Sequence, residues 1–356
     1  MVRMRRITWR VAVLAVVALA ALALSAVSSS NASTSATPPN STSLFSVSRI
    51  LKLDSDGSNP SMVAAGVDSM FVVGTFDHLN DTTDDLIRVD LRTWRIAAAA
   101  RLPNETSVAF GDGALWWATG QNAFDIPAPN NGRALLKIDP TSLRRQRTFV
   151  LPDRTLLVTV AGTSLWVATP TMLIKLDPES GRVLVKFLLG FSPIAMSPSG
   201  QGKNLDVLGS SRSKEFVTAY DATSGRRIVQ RLLPGSTGGP LATTTRGVWV
   251  ATDNLNNKTA SARYYQGDQL VPSAARGGYP FDTSLYLGVG VIWLVDSGGQ
   301  GSTECLAQST GHVRARGGPL GVGYGSVAAY ADRTYLLFDR DLTDYFLRVT
   351  PTKSCS

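Results

Sequence analysis

One short apolar segment, usually centred on tryptophan, recurs along this chain at near-constant spacing. It reads SMFVVGT (69–75), ALWWATG (114–120), SLWVATP (164–170), LDVLGSS (205–211), GVWVATD (247–253), VIWLVDS (291–297) and TYLLFDR (334–340). The aligned centres Phe71, Trp116, Trp166, Asp206, Trp249, Trp293 and Leu336 lie 45, 50, 40, 43, 44 and 43 residues apart. A second segment follows each: LIRVDLRTWRI (86–96), LLKIDPTSLRR (135–145), LIKLDPESGRV (173–183) and VTAYDATSGRRI (217–228). Weaker copies are ARYYQGDQLV (262–271), CLAQSTGHV (305–313) and FLRVTPTKSC (346–355). A period of about 40–50 residues is that of a four-stranded propeller blade.

The local chemistry agrees. The apolar runs are short and rich in β-branched and aromatic residues, as strands are. Asp90, Asp139, Asp177 and Asp221 each end a strand-like run and open a turn. Aspartate bonds turn backbone, proline presets φ, and glycine supplies positive φ. No stretch after residue 50 keeps an apolar stripe at helical period, which argues against a bundle or a doubly wound sheet. A two-domain β-sandwich would not repeat one motif seven times.

Strands of a blade are lettered a to d from the axis outward. The Trp-type segment is strand b and the Asp-ended segment is strand c. The last copy lacks a strand d, and the run LFSVSRILKLD (44–54) lacks a partner. Ring closure removes both exposed edges together. The expected fold is an all-β seven-bladed β-propeller whose closing blade is shared between N- and C-terminal strands. A six-bladed ring is the alternative, with the Asp206 copy outside any blade.

The phrases SLWVATPTMLIKLDPESGRVL and ALLKIDPTSLRR resemble the YVTN, NHL and virginiamycin-B-lyase-like propeller repeats of exported bacterial proteins. The resemblance covers most of residues 46–352 and implies the propeller fold. It implies little about activity, because the repeated residues build blades. The resembling lyases use loop histidines with a metal. This chain has two histidines. His78 falls between strands b and c of the first blade, and His312 between strands c and d of the sixth. Those connections open on opposite faces, so the two cannot share a metal.

The N-terminus predicts export. Arg3, Arg5, Arg6 and Arg10 precede an uncharged apolar run, 11–27, followed by a Ser/Thr/Pro-rich stretch. Residues 1–27 are expected to be a signal peptide or membrane anchor, 28–43 a disordered linker, and 44–356 the propeller. Small-residue cleavage sites follow Ala26 and Ala32. The expected location is extracytoplasmic, secreted or held on the outer side of the cytoplasmic membrane. The only membrane contact expected is through residues 11–27, if uncleaved. The chain's net charge is +8. The four leader arginines supply half of that, leaving 31 Lys+Arg against 27 Asp+Glu. Nucleic acid is therefore not an expected partner. An exported body also admits a Cys305–Cys355 disulfide. Two free thiols are the alternative, and spacing does not choose between them.

Candidate site residues lie in the b–c connections, where long polar loops cluster on one face. The expected loops are 76–85, 120–133, 253–262, 296–303 and 339–344. The residues expected to bind ligand are Asp77, His78, Asp81, Phe124, Asp125, Asn256 and Lys258. Asp77, Asp81, Asp84 and Asp85 form an oxygen-rich group that suits calcium, though without an EF-hand spacing. No other cofactor is expected, and no catalytic residue is assigned. GVGYGS (321–326) resembles a dinucleotide loop but lacks its last glycine and a following helix. The tryptophans read as core between blades. Arg144, Arg145 and Arg147 read as a solvated outer edge. The expected function is a non-enzymatic binding scaffold for an extracytoplasmic protein, peptide or glycan. The alternatives are a propeller-type lyase or hydrolase with a metal near the channel, and a membrane-anchored structural envelope protein.

Overall fold

A computed structural model describes residues 44–53, 58–66, 68–76, 83–103, 105–119, 129–199, 202–212, 214–233, 237–244, 247–254, 259–266, 269–270, 276–280, 283–287, 291–296, 303–308, 310, 312–317, 326–330, 333–340, 343–353 and 355. The signal, anchor and linker expectations for residues 1–43 fall outside these.

The chain forms seven antiparallel sheets, each the size of a propeller blade. Blade 1 is Ser58–Gly66, Ser69–Phe76, Thr83–Asp90 and Arg95–Pro103. Blade 2 is Glu105–Gly111, Ala114–Thr119, Ala134–Ile138 and Arg145–Val150. Blade 3 is Leu157–Ala161, Ser164–Ala168, Met172–Leu176 and Val183–Leu188. Blade 4 is Ser192–Ser199, Asn204–Ser211, Lys214–Asp221 and Arg227–Leu233. Blade 6 is Thr283–Leu287, Val291–Asp296, Thr303–Ala307 and Val313–Gly317. Strand a of each blade touches strand a of the next, from the first blade round to the last and back, so these strands surround the axis.

Blade 7 closes the ring as expected. Its strands a to c are Ser326–Tyr330, Arg333–Arg340 and Thr343–Pro351, and its strand d is the N-terminal Phe45–Leu53. Phe45 pairs with Pro351 and Leu53 with Asp344. Thr352 adds two bonds to the Leu44 carbonyl, from its backbone N–H at 3.0 Å and its hydroxyl at 3.1 Å. The six-bladed alternative is excluded, because Asp206 sits within strand b of blade 4, paired with Ser197 and Ala219.

Blade 5 departs from the pattern. Strands a to c are Thr237–Thr243, Val248–Asn254 and Thr259–Gln266. Its outer edge is split between Gln269–Leu270 and Arg276–Pro280, which pair with opposite ends of strand c.

The core is seven seams between neighbouring blades. In blades 1, 2, 3, 5 and 6 the strand-b aromatic faces the blade that follows. Phe71 packs with Leu115 and Trp117, and Trp116 with Leu165 and Val167. Trp166 packs with Leu205 and Tyr220, Trp249 with Ile292 and Leu306, and Trp293 with Leu347 and Val349. Phe71 and these tryptophans are at most 1% exposed. Burying each stabilises the ring by roughly 2–3 kcal/mol, so the tryptophans are core, as the repeat implied.

The Asp-ended repeat builds one turn four times. The Asp90 carboxylate accepts from the N–H groups of Arg92 and Thr93. Asp139 accepts from Thr141 and Ser142, Asp177 from Ser180, and Asp221 from Thr223 and Ser224. The residue four places on is left-handed in every copy: Trp94 (φ 59°), Leu143 (56°), Gly181 (72°) and Gly225 (72°). Its N–H bonds the aspartate carbonyl at 2.7–2.9 Å. Glycine is needed at 225, where an added Cβ would lie 2.4 Å from the Phe187 ring of the preceding blade.

Candidate functional site

The described residues nearest the axis carry few ionisable groups. Among the described strands a, the ionisable side chains belong to Glu105, Tyr286 and Tyr330. The hydroxyls there stitch blade to blade. Ser107 Oγ accepts from the Val158 N–H at 3.1 Å and donates to its carbonyl at 3.3 Å. Thr106 donates to the Thr155 carbonyl at 3.1 Å. The Ser197 and Thr243 hydroxyls meet at 2.8 Å, and Thr243 also donates to the Pro198 carbonyl.

The b–c and d–a connections open on one end of the ring, and a–b and c–d on the other, because neighbouring strands within every blade are antiparallel. Asp77, His78, Asp81, Phe124, Asp125, Asn256 and Lys258, drawn from three b–c connections, lie outside the described residues. His312 is exposed in the c–d turn of blade 6.

The loop boundaries need correction. Asp84 and Asp85 belong to strand c of blade 1, opposite Thr75 and Gly74. Asp253 and Asn254 extend strand b of blade 5, and Thr259–Ala262 begin its strand c. Asp339 and Arg340 pair with Asp344 and Thr343. Ladder bonds involve only backbone, so polar side chains do not end a hairpin whose partner strand continues. Two members of the calcium group, Asp84 and Asp85, thus stand in a strand, and Asp77 and Asp81 lie outside the described residues. Among the described residues, no three His, Cys, Asp or Glu side chains gather as a metal site.

Charge is divided by position. The described strand ends on the b–c/d–a side carry Asp84, Asp85, Glu105, Glu215, Asp253, Asp296, Glu304, Asp339 and Asp344, of which Glu215 and Glu304 are buried. Lys214 and Arg340 are the basic residues of the described strands b and c at that side. The outer strands are the reverse. They carry Arg95 and Arg101 in blade 1, Arg145 and Arg147 in blade 2, and Lys186 in blade 3. Arg227 and Arg231 follow in blade 4, Arg276 in blade 5, Arg314 and Arg316 in blade 6, and Arg49 and Lys52 in blade 7. No described outer strand contains Asp or Glu.

Elsewhere charge serves the seams. The Lys137 amine lies 5.6 Å above the Trp116 ring and bonds Glu179 of the next blade at 2.6 Å. Lys175 repeats this over Trp166 at 5.8 Å and bonds the Thr223 carbonyl at 2.6 Å. In blade 4 the tryptophan position is Asp206, 4% exposed. Burial pushes its carboxyl pKa up, opposed by a hydrogen bond with Ser199 and the charge of Arg231. Tyr265 of blade 5 packs on the same seam, and burial raises its phenol pKa. This buried polar seam was not singled out in the sequence. Its one signal was a carboxylate in a slot otherwise aromatic or aliphatic.

These features define a seven-bladed β-propeller. No protein-family profile matches the chain, and no curated protein sequence does. Solved structures share the fold at low identity. The hydrazine synthase of Kuenenia stuttgartiensis is 13% identical, covering 85% of this chain and 98% of that one, with a TM-score of 0.62. The Cps50 (Swd1) β-propeller domain of Myceliophteria thermophila is 12% identical over 85% and 100%, with a TM-score of 0.59. BamB from Moraxella catarrhalis is 12% identical over 86% and 98%, with a TM-score of 0.53. Identities this low carry the fold and no activity.

Proposed function

We propose that this chain is an exported, non-enzymatic binding propeller that presents its b–c/d–a end to a basic protein or peptide segment. The observation that carries this reading is a separation of roles. The repeated residues hold blades and turns together, while Asp and Glu positions outside the repeated turns fall at the strand ends of one side. Complementary charge at such an end favours encounter with a cationic segment. Among the described inner strands Glu105 is the one acidic residue, which supports a binding role over a metal lyase or hydrolase that needs converging ionisable groups.

The resemblance to YVTN, NHL and virginiamycin-B-lyase-like repeats supports an extracytoplasmic location. So does the run of arginines before residues 11–27. Fractionation and N-terminal sequencing of the mature protein test the compartment. A start after Ala26 or Ala32 is expected for a secreted form, and an intact start in the membrane fraction for an anchored one. An intact, soluble cytoplasmic chain would overturn export.

Titration with basic, neutral and acidic peptides of equal length tests the ligand. Basic peptides are expected to bind best, and to bind at least tenfold more weakly when Asp253, Asp296 and Asp339 are changed to Asn. Equal binding of all three peptide classes would overturn the assignment.

A further inference from the structure

We infer that the outer wall of the ring is a second interaction surface, which binds a flexible linear polyanion carrying phosphate or sulfate groups. The wall is formed by the strand d of successive blades, and the charged residues of its described strands are all basic; one of them, Arg316, is paired with Glu304 of strand c. Arg95, Arg145, Lys186, Arg227, Arg314 and Arg49 are all exposed and lie on six different blades. No carboxylate shares any described outer strand with them.

Protection of sheet edges does not account for this. An edge is blunted by a charge of either sign, by proline or by a bulge. A random mixture of Lys, Arg, Asp and Glu would serve equally well, and this body has nearly equal numbers of both signs. The basic residues have instead been placed on the wall and many of the acids at the strand ends. The c–d turns beside the wall are close to balanced, with Asp90 near Arg92, Asp139 near Arg144 and Asp221 near Arg226 in sequence. Four to six guanidinium or ammonium groups contacted by one polymer make a strong polyanion site through release of condensed counterions.

The curvature selects the kind of polymer. The charges follow a closed ring, blade after blade. A flat bilayer or a stiff duplex, whose persistence length is about 150 base pairs, meets only the blade or two at the point of contact. A flexible chain can follow the wall across several.

The test is binding of inorganic long-chain polyphosphate to the full chain across a salt series. Binding is expected to weaken steeply with salt. The variant Arg95→Gln, Arg145→Gln, Lys186→Gln, Arg227→Gln is expected to bind at least tenfold more weakly at low salt, with the log–log salt slope reduced by about three. Its melting temperature reports that it has folded. If it has not, the four single variants are measured, each expected to reduce the slope by about one. A control carrying Lys214→Gln and Arg340→Gln, at the other surface, is expected to bind as the parent does. An unchanged slope in the wall variants would overturn the inference. So would tighter binding to duplex DNA at equal phosphate, or to phosphatidylglycerol vesicles that polyphosphate does not displace.

Discussion

Cys305, in strand c of blade 6, is disulfide-bonded to Cys355, which lies just beyond strand c of blade 7, with Cα atoms 5.8 Å apart. Arg314 of blade 6 donates to the Cys355 carbonyl at 3.1 Å. The bond therefore fastens the C-terminal part of the closing blade to its neighbour. The N-terminal strand of that blade depends on the same segment through the Thr352 bonds to Leu44.

Reducing this disulfide should destabilise the ring measurably. In the chain-entropy account a closed loop of 50 residues is worth about 4 kcal/mol. Thermal melts with and without reductant, or of Cys305→Ser with Cys355→Ser, should show a loss of roughly 5–10 °C. The same loss should appear for reduced wild type and the double variant. An unchanged melt would show that blade pairing alone closes the ring.

Gly225→Ala should destabilise more than an ordinary surface change. Its φ of 72° and the Phe187 ring 2.4 Å from a new Cβ act together. The left-handed conformation costs about 1–2 kcal/mol for a non-glycine residue, and overpacking adds about 1–3 kcal/mol. Denaturant midpoints measure the sum. Leu143 occupies the matching left-handed position in blade 2 but is 2% exposed within a seam. Leu143→Gly should therefore also destabilise, because losing a buried leucine at about 2–5 kcal/mol outweighs the relief of strain.

Acid should weaken the c–d turns. Hydrogen bonds to the carboxylates of Asp90, Asp139, Asp177 and Asp221 hold all four below their ordinary pKa. The largest cause is the Thr93 N–H for Asp90, the Ser142 N–H for Asp139, the Ser180 hydroxyl for Asp177 and the Ser224 N–H for Asp221. A lowered folded pKa contributes stability that is complete above the unfolded value and is lost as pH falls through the folded one. Stability should thus be flat near neutrality and fall below about pH 4. In Asp139→Asn the fall should be shallower, as read from urea midpoints across that range.

Asp206 should act in the opposite direction. Burial raises its pKa, so the folded state holds this proton more tightly than the unfolded one. Its contribution is greatest below the unfolded pKa and diminishes as pH rises toward the folded value. Asp206→Asn should remove that decline, leaving stability less dependent on pH above about 4 than in the parent. Parallel pH dependence in the two proteins would refute the assignment.

The blade count, the closing strand and the turn aspartates were all legible along the chain. Each depends on local chemistry that recurs: a tryptophan in strand b, an aspartate at the end of strand c, a small or left-handed residue four places on. The candidate site was legible only in part. Asp84, Asp85, Asp339 and Asp344 are polar and read as loop, yet they stand in ladders, because a backbone bond does not depend on the side chain beside it. Asp206 counted as one of the seven repeat centres, but its burial in a seam was not legible in the sequence.

The sequence pattern alone dictated how many sheets form and which two distant strands complete the last one, since unpaired edges and an unburied apolar face leave few other arrangements. Tertiary structure decided what lies between them. It brought Cys305 beside Cys355, set Arg231 near Asp206 across two strands, and put basic residues on the wall and acidic ones at the strand ends of one side. These are relations between residues far apart in the chain. They arise from the register of strands and the turning of successive blades about one axis, and no local pattern encodes either.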